Sequence, residues 1–276
     1  MLDLHMHTTA SDGTDTPEQL IDKCADMGLT LCAITDHDTI DSQQPAIKRA
    51  EERGIPYLTG VELSVIHTGE LHILGYGVDI NDKAFSDMMA DLIASRVGRV
   101  HAILAELKKH NISIGFEDVK HFAGGNALGR PHVALALAEK GYALNVHDAF
   151  VKYLNEGGLC YVQRRKLTAA QAIELILKAG GTPVLAHPKF VKTDDIAAQV
   201  KELTKNGLKG IEAYYPAHSD AEVEKFLAIA RENELIVTQG SDYHGTMRDY
   251  VTLGCEKRGG LLLDGSIAFL RKKYNI

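Results

Sequence analysis

The chain has 276 residues, of which 45% are hydrophobic and 24% are charged, a composition typical of a soluble globular protein with a large core. Its net charge of -7 argues against the basic surface that grips long nucleic acid, although metals or arginines can still attract a small anion locally. No apolar run approaches the ~20 residues that cross a bilayer, so we expect no membrane partner. The four cysteines form no C-x-x-C pair and no signal peptide precedes the first strand, which predicts a cytoplasmic protein with reduced thiols.

The first seven residues predict a short strand that carries two histidines. Leu2 and Leu4 alternate with Asp3, His5 and His7, and a period of two is that of a β-strand. His5 and His7 therefore project from one side, where two imidazoles can hold one divalent ion. A lone H-x-H pair is more often a surface or hydrogen-bonded feature, so the interpretation depends on the residues that follow.

Strands and helices then alternate in the order of a parallel α/β sheet. The predicted elements are a helix at 16–27, a strand at 31–35, a helix at 42–53 and strands at 56–62 and 71–78. His37 follows the first of these strands, Glu62 ends the second, and His72 lies near the start of the third. Residues that can bind metal therefore recur at the ends of strands, where the catalytic groups of barrel enzymes collect.

Residues 82–165 differ from this pattern because they are predominantly helical. The predicted elements are a long amphipathic helix at 82–107, shorter helices at 116–122, 131–139 and 146–154, and a strand at 159–162. We expect 82–165 to be a helical insertion over the mouth of the active site, between barrel segments 1–81 and 166–276. A segment in that place is suited to act as a substrate lid.

The alternation resumes after the insertion. The predicted elements are helices at 169–179, 195–205, 220–233 and 266–273, and strands at 182–186, 210–214 and 236–240. His187 follows the first of these strands, His218 follows the second, and Asp242 and His244 follow the third. The count of about seven strands predicts a barrel-like α/β fold.

Nine side chains that can bind metal lie at or near these strand ends: His5, His7, Asp12, His37, Glu62, His72, His187, Asp242 and His244. Imidazoles and carboxylates without thiolates suit Zn²⁺, Mn²⁺ or Fe²⁺. Nine donors exceed the roughly four to six that one ion takes, so we expect two or three ions, with Glu62 as a candidate bridge. Such a cluster lowers the pKa of bound water and neutralises charge on a phosphate ester. The chain has no G-x-S-x-G, P-loop or dinucleotide-binding motif, which argues against serine hydrolases, NTPases and dehydrogenases.

Six motifs occur in an order that resembles the polymerase-and-histidinol-phosphatase (PHP) family: H-x-H, S-D-G, T-D-H-D, G-x-E, A-H-P and S-D-x-H. The resemblance spans nearly the whole chain and implies a distorted (β/α)7 barrel with a site for two or three metals. It implies three ligand sets: His5, His7, Glu62 and Asp242; Glu62, His72 and His187; and Asp12, His37 and His244. Many relatives have histidine at the position of Asp12, and the carboxylate should favour a harder ion such as Mn²⁺ or Mg²⁺ there.

The insertion resembles the branch of 3',5'-nucleoside bisphosphate phosphatases and a related short-RNA 5'-exonuclease. The matching segments are Gly129-Arg130-Pro131-His132, Phe150-Val151-Lys152-Tyr153-Leu154, Gly157 and Tyr161-Val162. The candidate substrate contacts are Arg130, His132, Lys152, Tyr153, Tyr215 and His218. Arginine offers a planar fork for phosphate, lysine a point charge and tyrosine a stacking face, although each residue could instead be a surface charge or a core aromatic. We expect 164–166, which reads Arg-Arg-Lys, to be a solvated turn.

The residues and the resemblance together predict a metal-dependent phosphoesterase that removes the 3'-phosphate of a nucleoside 3',5'-bisphosphate. A close variant would trim short oligoribonucleotides from the 5' end, and the acidic net charge favours such small substrates over long nucleic acid. The alternatives are a histidinol-phosphate-type phosphatase, an amide hydrolase and a non-catalytic accessory domain. The general acid stays open among His187, His218, His244 and a metal-bound water.

Overall fold

Seven strands form the centre of the molecule, as seen in a computed structural model that describes residues 1–248, 250–255 and 259–276. The strands are β1 (Leu2–Asp3), β2 (Leu31–Cys32), β3 (Gly60–Ser64), β4 (His72–Tyr76), β5 (Thr182–Leu185), β6 (Gly210–Tyr214) and β7 (Ile236–Gln239). β1 pairs with β2 in a parallel two-stranded sheet, and β3 to β7 form a five-stranded sheet in chain order. The fold is therefore mixed α/β.

The two sheets do not close into a hydrogen-bonded barrel within the described residues, so the predicted (β/α)7 barrel is not confirmed. Single parallel bridges, such as Met6 with Tyr243 and His37 with Glu62, connect segments of the two sheets. The prediction of a parallel sheet is also wrong for β4, which runs antiparallel to both β3 and β5. Residues 65–71 are the whole connection between β3 and β4, and a parallel crossover needs a dozen residues or more.

Ten α-helices surround the strands in the described part of the chain. They are α1 (Pro17–Asp26), α2 (Gln43–Arg53), α3 (Lys83–Lys109), α4 (Phe116–Lys120), α5 (Arg130–Glu139), α6 (Val146–Ala149), α7 (Ala169–Lys178), α8 (Ile196–Lys205), α9 (Asp220–Glu232) and α10 (Leu261–Tyr274). Short 3₁₀ turns cover Pro188–Phe190 and Gly245–Arg248, and a π-helical turn covers Phe150–Leu154. The N-cap Thr16 accepts a hydrogen bond from Gln19 N–H, and Pro17 occupies the first position of the helix. None of the described helices is long and apolar enough to span a membrane.

Helix α3 connects two hydrophobic cores. Its first half contributes Phe85 and Leu92 to the core beside the five-stranded sheet. Its second half contributes Val100 and Leu107 to a separate core shared with α4, α5 and α6. The segment around residue 96 consequently lies where the main body meets the predicted insertion, whose limits at 82 and 165 stay a prediction.

The strand predicted at 159–162 was wrong. Leu159 and Cys160 donate their backbone N–H groups to the carbonyls of Lys152 and Tyr153, each at 3.0 Å. These local bonds fold the segment back on the π-helical turn, so its backbone pairs with the insertion and joins neither sheet.

Candidate metal centre

Loops and strand ends bring the nine predicted metal ligands, which we call the metal cluster, into one group. His5 and His7 follow β1, and the bridge between Met6 and Tyr243 holds them beside Asp242 and His244. A parallel bridge pairs His37 with Glu62 of β3, while His72 begins β4, which pairs with β3. The cluster is therefore assembled by pairing between distant segments of the chain.

The first predicted ligand set converges on two carboxylate oxygens. Nε2 of His7 lies 3.2 Å from Glu62 Oε2 and 3.2 Å from Asp242 Oδ1. Nε2 of His5 lies 3.3 Å from the same Glu62 oxygen and 3.6 Å from the same Asp242 oxygen. Two imidazole nitrogens and two carboxylate oxygens thus surround one point.

The second predicted set uses the other oxygen of Glu62. His72 Nδ1 and His187 Nε2 lie 2.8 and 2.9 Å from Glu62 Oε1, and 3.3 Å from each other. Oε2 of Glu62 also approaches His37 Nδ1 at 2.9 Å. Glu62 therefore places one oxygen in each of two ligand groups, which is the arrangement that a bridging carboxylate requires.

The donor atoms of the third predicted ligand set lie farther apart. Asp12 Oδ1 lies 3.4 Å from His244 Nε2, and Asp12 Oδ2 lies 3.9 Å from His37 Nε2. His7 joins this group, because its Nδ1 lies 3.9 Å from Asp12 and its ring stacks on His244 with centroids 4.1 Å apart. Four donors can thus face an ion at this end of the cluster.

The donor atoms of the cluster fit divalent metal ions. Seven of its buried atoms have no hydrogen-bond partner among the described residues. One is His187 Nδ1, and the other six have ligand oxygens and nitrogens of the cluster around them: His5 Nε2, His7 Nε2, Asp12 Oδ1, His37 Nδ1, Glu62 Oε2 and His244 Nε2. Buried polar atoms without partners are costly, so a cluster that aims six of them at one another is built for a cation. Imidazole and carboxylate donors within 4.8 Å of one another supply ligands suited to Zn²⁺, Mn²⁺ or Fe²⁺.

The charges in the cluster support the same conclusion. Burial would lower the pKa of His7, but the carboxylates of Asp242 and Glu62 raise it to about 9. Burial lowers the pKa of His37 to about 4, which keeps that imidazole neutral and ready to bind metal. Burial would raise the pKa of Glu62, yet the surrounding imidazoles hold it well below its ordinary range. The carboxylates stay ionised and favour a proton on neighbouring imidazoles such as His7, which a metal ion would displace.

A second layer of residues orients the ligands. Glu212, which is fully buried on β6, lies 3.0 Å from His5 Nδ1 and accepts the backbone N–H of His187 at 2.8 Å. A hydrogen bond at Nδ1 fixes the tautomer that presents Nε2 to a metal. A Cβ at Gly240 would lie 2.2 Å from His5 Cβ, so only glycine permits this approach. Sequence analysis missed Glu212, although a carboxylate within the apolar strand 210–214 was a signal.

The loop that carries Asp12 is fixed by a different carboxylate. Asp36 accepts the backbone N–H of Thr8 at 2.8 Å, the Thr8 hydroxyl at 2.7 Å and the Ser11 hydroxyl at 2.5 Å. On the other side of the cluster, Asp242 Oδ2 accepts the Tyr215 hydroxyl at 2.9 Å and pairs with Arg248. Both ends of the cluster are thus held by hydrogen bonds from outside it.

Five basic side chains from α3, the start of α5 and residues 164–166 form what we call the arginine cluster: Arg96, Arg99, Arg130, Arg164 and Lys166. Arg96 and Arg164 share the buried Asp38 carboxylate, with nitrogen–oxygen distances of 2.6 and 2.5 Å. The expectation that 164–166 is a solvated turn was wrong for Arg164, whose side chain is only 1% exposed. Two arginines three residues apart on the apolar face of α3 were the signal that sequence analysis missed.

Both clusters line one cavity of about 1140 Å³. Its lining includes Asp12, His37, Glu62, His72, His187 and Asp242 together with the arginine cluster. Tyr215 lines it as well, beside Phe190 and His187, with ring centroids 5.9 and 5.8 Å away. The cavity can therefore hold a ligand that touches the metal cluster and the basic side chains together.

The other predicted substrate residues lie in different surroundings. Lys152 pairs with Asp148 at 2.7 Å on the surface of the insertion. The hydroxyl of Tyr153 donates to the Tyr142 carbonyl at 3.1 Å within the core of the insertion. His132 Nδ1 accepts the Gly129 N–H at 3.0 Å and caps α5.

His218 also lies apart from the cavity lining. Its Nδ1 is 2.9 Å from the Ala213 carbonyl, and its ring lies between Tyr215 and Phe226, with centroid distances of 5.2 and 4.8 Å. Of the predicted substrate contacts, Arg130 and Tyr215 are the two among the described residues that line the cavity.

Comparison with known proteins agrees with this geometry. A model of the PHP domain matches residues 3–244. The chain is 35% identical over 257 residues to the 5'-3' exoribonuclease Rnm of Escherichia coli (strain K12), covering 88% of this chain and 84% of that protein. It is 32% identical over 249 residues to a 3',5'-nucleoside bisphosphate phosphatase of Chromobacterium violaceum, covering 88% of this chain and 87% of that protein.

A solved structure shows that the fold is shared as well. It is described as an amidohydrolase from Chromobacterium violaceum with bound sulfate and no metal, and it matches with a TM-score of 0.90 at 29% identity, covering 99% of this chain and 96% of that chain. The α/β fold, the cluster of histidines and carboxylates and these relatives define a metal-dependent phosphoesterase. The chain belongs to the PHP domain family, as its six motifs indicated.

Proposed function

We propose that this protein removes the 3'-phosphate from nucleoside 3',5'-bisphosphates, using two or three Mn²⁺, Zn²⁺ or Fe²⁺ ions held by the metal cluster. The observation that carries the proposal is the single cavity in which ionised carboxylates and imidazoles face a group of buried arginines. Bound divalent ions would act as Lewis acids on the phosphate and on water. The relative named for this activity shares 32% of its residues with the chain.

In this proposal the protein's own residues hold the metal ligands in place and orient the substrate. Glu62 supplies one oxygen to each of two ligand groups, and Glu212 holds the ring of His5. Tyr215 offers a ring at the cavity wall for a base, while its hydroxyl fixes Asp242. Arg130 extends from the N-terminus of α5 into the same cavity as a phosphate contact.

His187 is our candidate for the histidine that meets the leaving group. It lines the cavity, whereas His218 and His244 are absent from the lining among the described residues. His187 Nδ1 is buried without a hydrogen-bond partner in the described part of the chain. A nitrogen with no competing partner is free to exchange a proton with a substrate oxygen.

The test measures the release of inorganic phosphate, and of nucleotide from the dinucleotide, by the Mn²⁺-loaded protein acting on four compounds: adenosine 3',5'-bisphosphate, adenosine 5'-monophosphate, histidinol phosphate and a 5'-phosphorylated dinucleotide. We expect rapid release from the bisphosphate with the 5'-monophosphate left intact. Rapid turnover of histidinol phosphate alone would contradict a nucleotide substrate and indicate a histidinol-phosphate-type phosphatase. No release from any compound, with full metal loading, would contradict a phosphatase and favour an accessory domain.

The size of the cavity supports a second candidate, a 5'-to-3' exonuclease on short oligoribonucleotides. A volume of about 1140 Å³ exceeds the roughly 300–1,000 Å³ of a typical small-molecule site, so a dinucleotide has room. The relative at 35% identity bears the name of that activity. Cleavage of the 5'-phosphorylated dinucleotide with the bisphosphate left intact would select this function.

A further inference from the structure

Two glycines of the predicted insertion pack directly against the loop that carries the metal ligand Asp12. Gly124 and Gly125, which we call the glycine pair, lie in the connection between α4 and α5. A Cβ at Gly124 would lie 2.4 Å from Thr9 Cβ, and a Cβ at Gly125 would lie 2.8 Å from Ala10 Cα. Side chains do not approach other atoms this closely, so the contact depends on glycine at both positions. The backbone of the insertion therefore lies against residues two and three positions before a ligand.

Contacts from two parts of the molecule enclose this loop. Asp36 accepts the Thr8 and Ser11 hydroxyls at 2.7 and 2.5 Å, and the glycine pair contacts the two residues between them. Ala10 and Asp12 are consequently only 7% and 8% exposed, although they lie on a loop. The main body and the insertion together determine the path of the loop.

The segment that contains the glycine pair is attached on both sides. Leu128 is 4% exposed and belongs to the core of the insertion. Asn126 Nδ2 donates to Asp41 Oδ2 of the main body at 3.5 Å. His132 of α5 lies near enough to Asp12 for that carboxylate to oppose the fall in the pKa of His132 that burial causes. The insertion thus lies beside the third ligand set at more than one point.

The third ligand set depends most on such support. Asp12 Oδ1 is buried without a hydrogen-bond partner among the described residues, and it lies 3.4 Å from His244 Nε2. The distances from Asp12 to its three imidazoles, 3.4 to 3.9 Å, exceed the 2.8 to 3.3 Å between Glu62 and its five imidazoles. Glu62 lies within β3 and is held by the pairing of β3 with β4, whereas Asp12 lies on a loop. A ligand on a loop takes its position from the residues that pack against that loop.

We propose that the glycine pair positions the third ligand set, so that a metal ion binds tightly at Asp12 only when the insertion lies against the Asp12 loop. Binding of this ion and packing of the insertion then favour each other, because coupling between two events is reciprocal. The ligand groups that share Glu62 do not depend on this contact. The insertion thereby acts on a metal site to which it supplies no predicted ligand. The inference rests on the metal ions of the proposed function and is independent of the substrate.

Metal titration tests the coupling directly. Chelator-treated protein is titrated with Mn²⁺, and free Mn²⁺ is measured by electron paramagnetic resonance in the wild type, Asp12→Asn, Gly125→Ala and the double variant. The control is Gly98→Ala, which adds the same methyl group to α3 at a position with no heavy atom within 4 Å. Asp12→Asn should identify the ion that Asp12 holds. Gly125→Ala should weaken that ion by at least about 10-fold and the others by less than about 2-fold, while the control binds as the wild type does.

The double variant separates a specific effect from a general one. It should bind Mn²⁺ as Asp12→Asn does, because the glycine contact then has no ion to support. Unchanged binding in Asp12→Asn or in Gly125→Ala would overturn the inference. Equal weakening of every ion in Gly125→Ala would indicate a general loss of structure and would overturn it as well.

Hydrogen exchange tests the same coupling with both glycines present, so it does not depend on how Gly125→Ala folds. Mn²⁺ should slow exchange of the backbone amides of residues 121–129 in the wild type by at least about 10-fold, because reciprocal coupling requires the ion to stabilise the contact. Asp12→Asn should lose this response. Exchange at 121–129 that ignores Mn²⁺, or that responds equally in Asp12→Asn, would contradict the coupling. If the Mn²⁺-loaded protein hydrolyses none of the four test compounds, the proposed function fails, while titration and exchange still decide this inference.

Discussion

The two clusters that line the cavity carry opposite and incompletely compensated charges. In the metal cluster, ionised carboxylates and imidazoles aim unpaired atoms at one another. In the arginine cluster, Arg96 and Arg164 share the carboxylate of Asp38, and the other three basic side chains form no ion pair with a described residue. The metal cluster lacks cations, and the arginine cluster lacks an anion. Metal ions could neutralise the first, and a phosphate group could neutralise the second. Function is therefore best sought where the folded chain leaves charge unmet.

Asp22, a more exposed carboxylate that also pairs with two arginines, is an internal control for the buried Asp38. Asp22 pairs with Arg49 and Arg53 at 2.8 and 2.6 Å, but its side chain is 33% exposed. Asp38 pairs with its two arginines at similar distances and is fully buried. The two carboxylates differ mainly in burial, which makes their comparison informative.

The largest effect is expected from Glu62→Gln, which removes the carboxylate shared by the two ligand groups. Its two oxygens contact five imidazoles, so the variant should lose bound metal and lower phosphate release by at least about 100-fold. Metal content and turnover are measured on the same preparation. Glu174→Gln, which breaks an exposed pair with Lys178, is the control. Full metal content and activity in Glu62→Gln would show that the metal lies elsewhere.

Asp38→Asn should cost about 3–5 kcal/mol of unfolding free energy, because it leaves two buried guanidinium groups without a counter-ion. The matched variant Asp22→Asn should cost clearly less unfolding free energy, because partly exposed pairs contribute little to stability. Urea unfolding of the chelator-treated proteins measures both. Equal losses of unfolding free energy in the two variants would show that burial does not distinguish Asp38 from Asp22.

Glu212→Gln should weaken metal binding by about 10- to 100-fold, the usual range for a residue that orients a ligand. The variant keeps the size of the side chain but loses the charge that faces His5 Nδ1 at 3.0 Å. Competition with a chromogenic chelator gives the affinity, and circular dichroism confirms that the fold is kept. Unchanged affinity would mean that Glu212 only fills space.

Most of the metal cluster could be predicted because most of its ligands lie at or soon after the end of a recognisable strand. His37 after 31–35 and His187 after 182–186 required only the hydrophobic pattern and the motif beside it. The position of Glu212 was harder to interpret, since a carboxylate inside a strand gives no indication of what faces it. The reversal of β4 followed from the short connection 65–71, which the sequence already contained.

The arginine cluster could not be predicted in the same way. Arg99, Arg130 and Arg164 come from three separate segments, and neither Arg99 nor Arg130 follows a predicted strand. Their proximity depends on the path of α3 between two cores and on Asp38, which is 126 residues from Arg164 in the chain. Sequence shows which residues can carry charge, while only tertiary structure shows which of those charges are left without a partner.

The smallest effect expected is a rise in stability with pH that comes from Lys166. Its pKa of about 8 in the folded protein lies below that of an unfolded lysine, about 10.4, so the unfolded chain binds more protons between these values. Unfolding free energy should therefore increase from pH 8 to pH 10, on the order of 1 kcal/mol from this residue. Urea unfolding of the chelator-treated wild type and of Lys166→Met across that range measures the difference. A parallel pH dependence in the two proteins would show that Lys166 keeps its charge at little cost, and that the arginine cluster is better compensated than its contacts indicate.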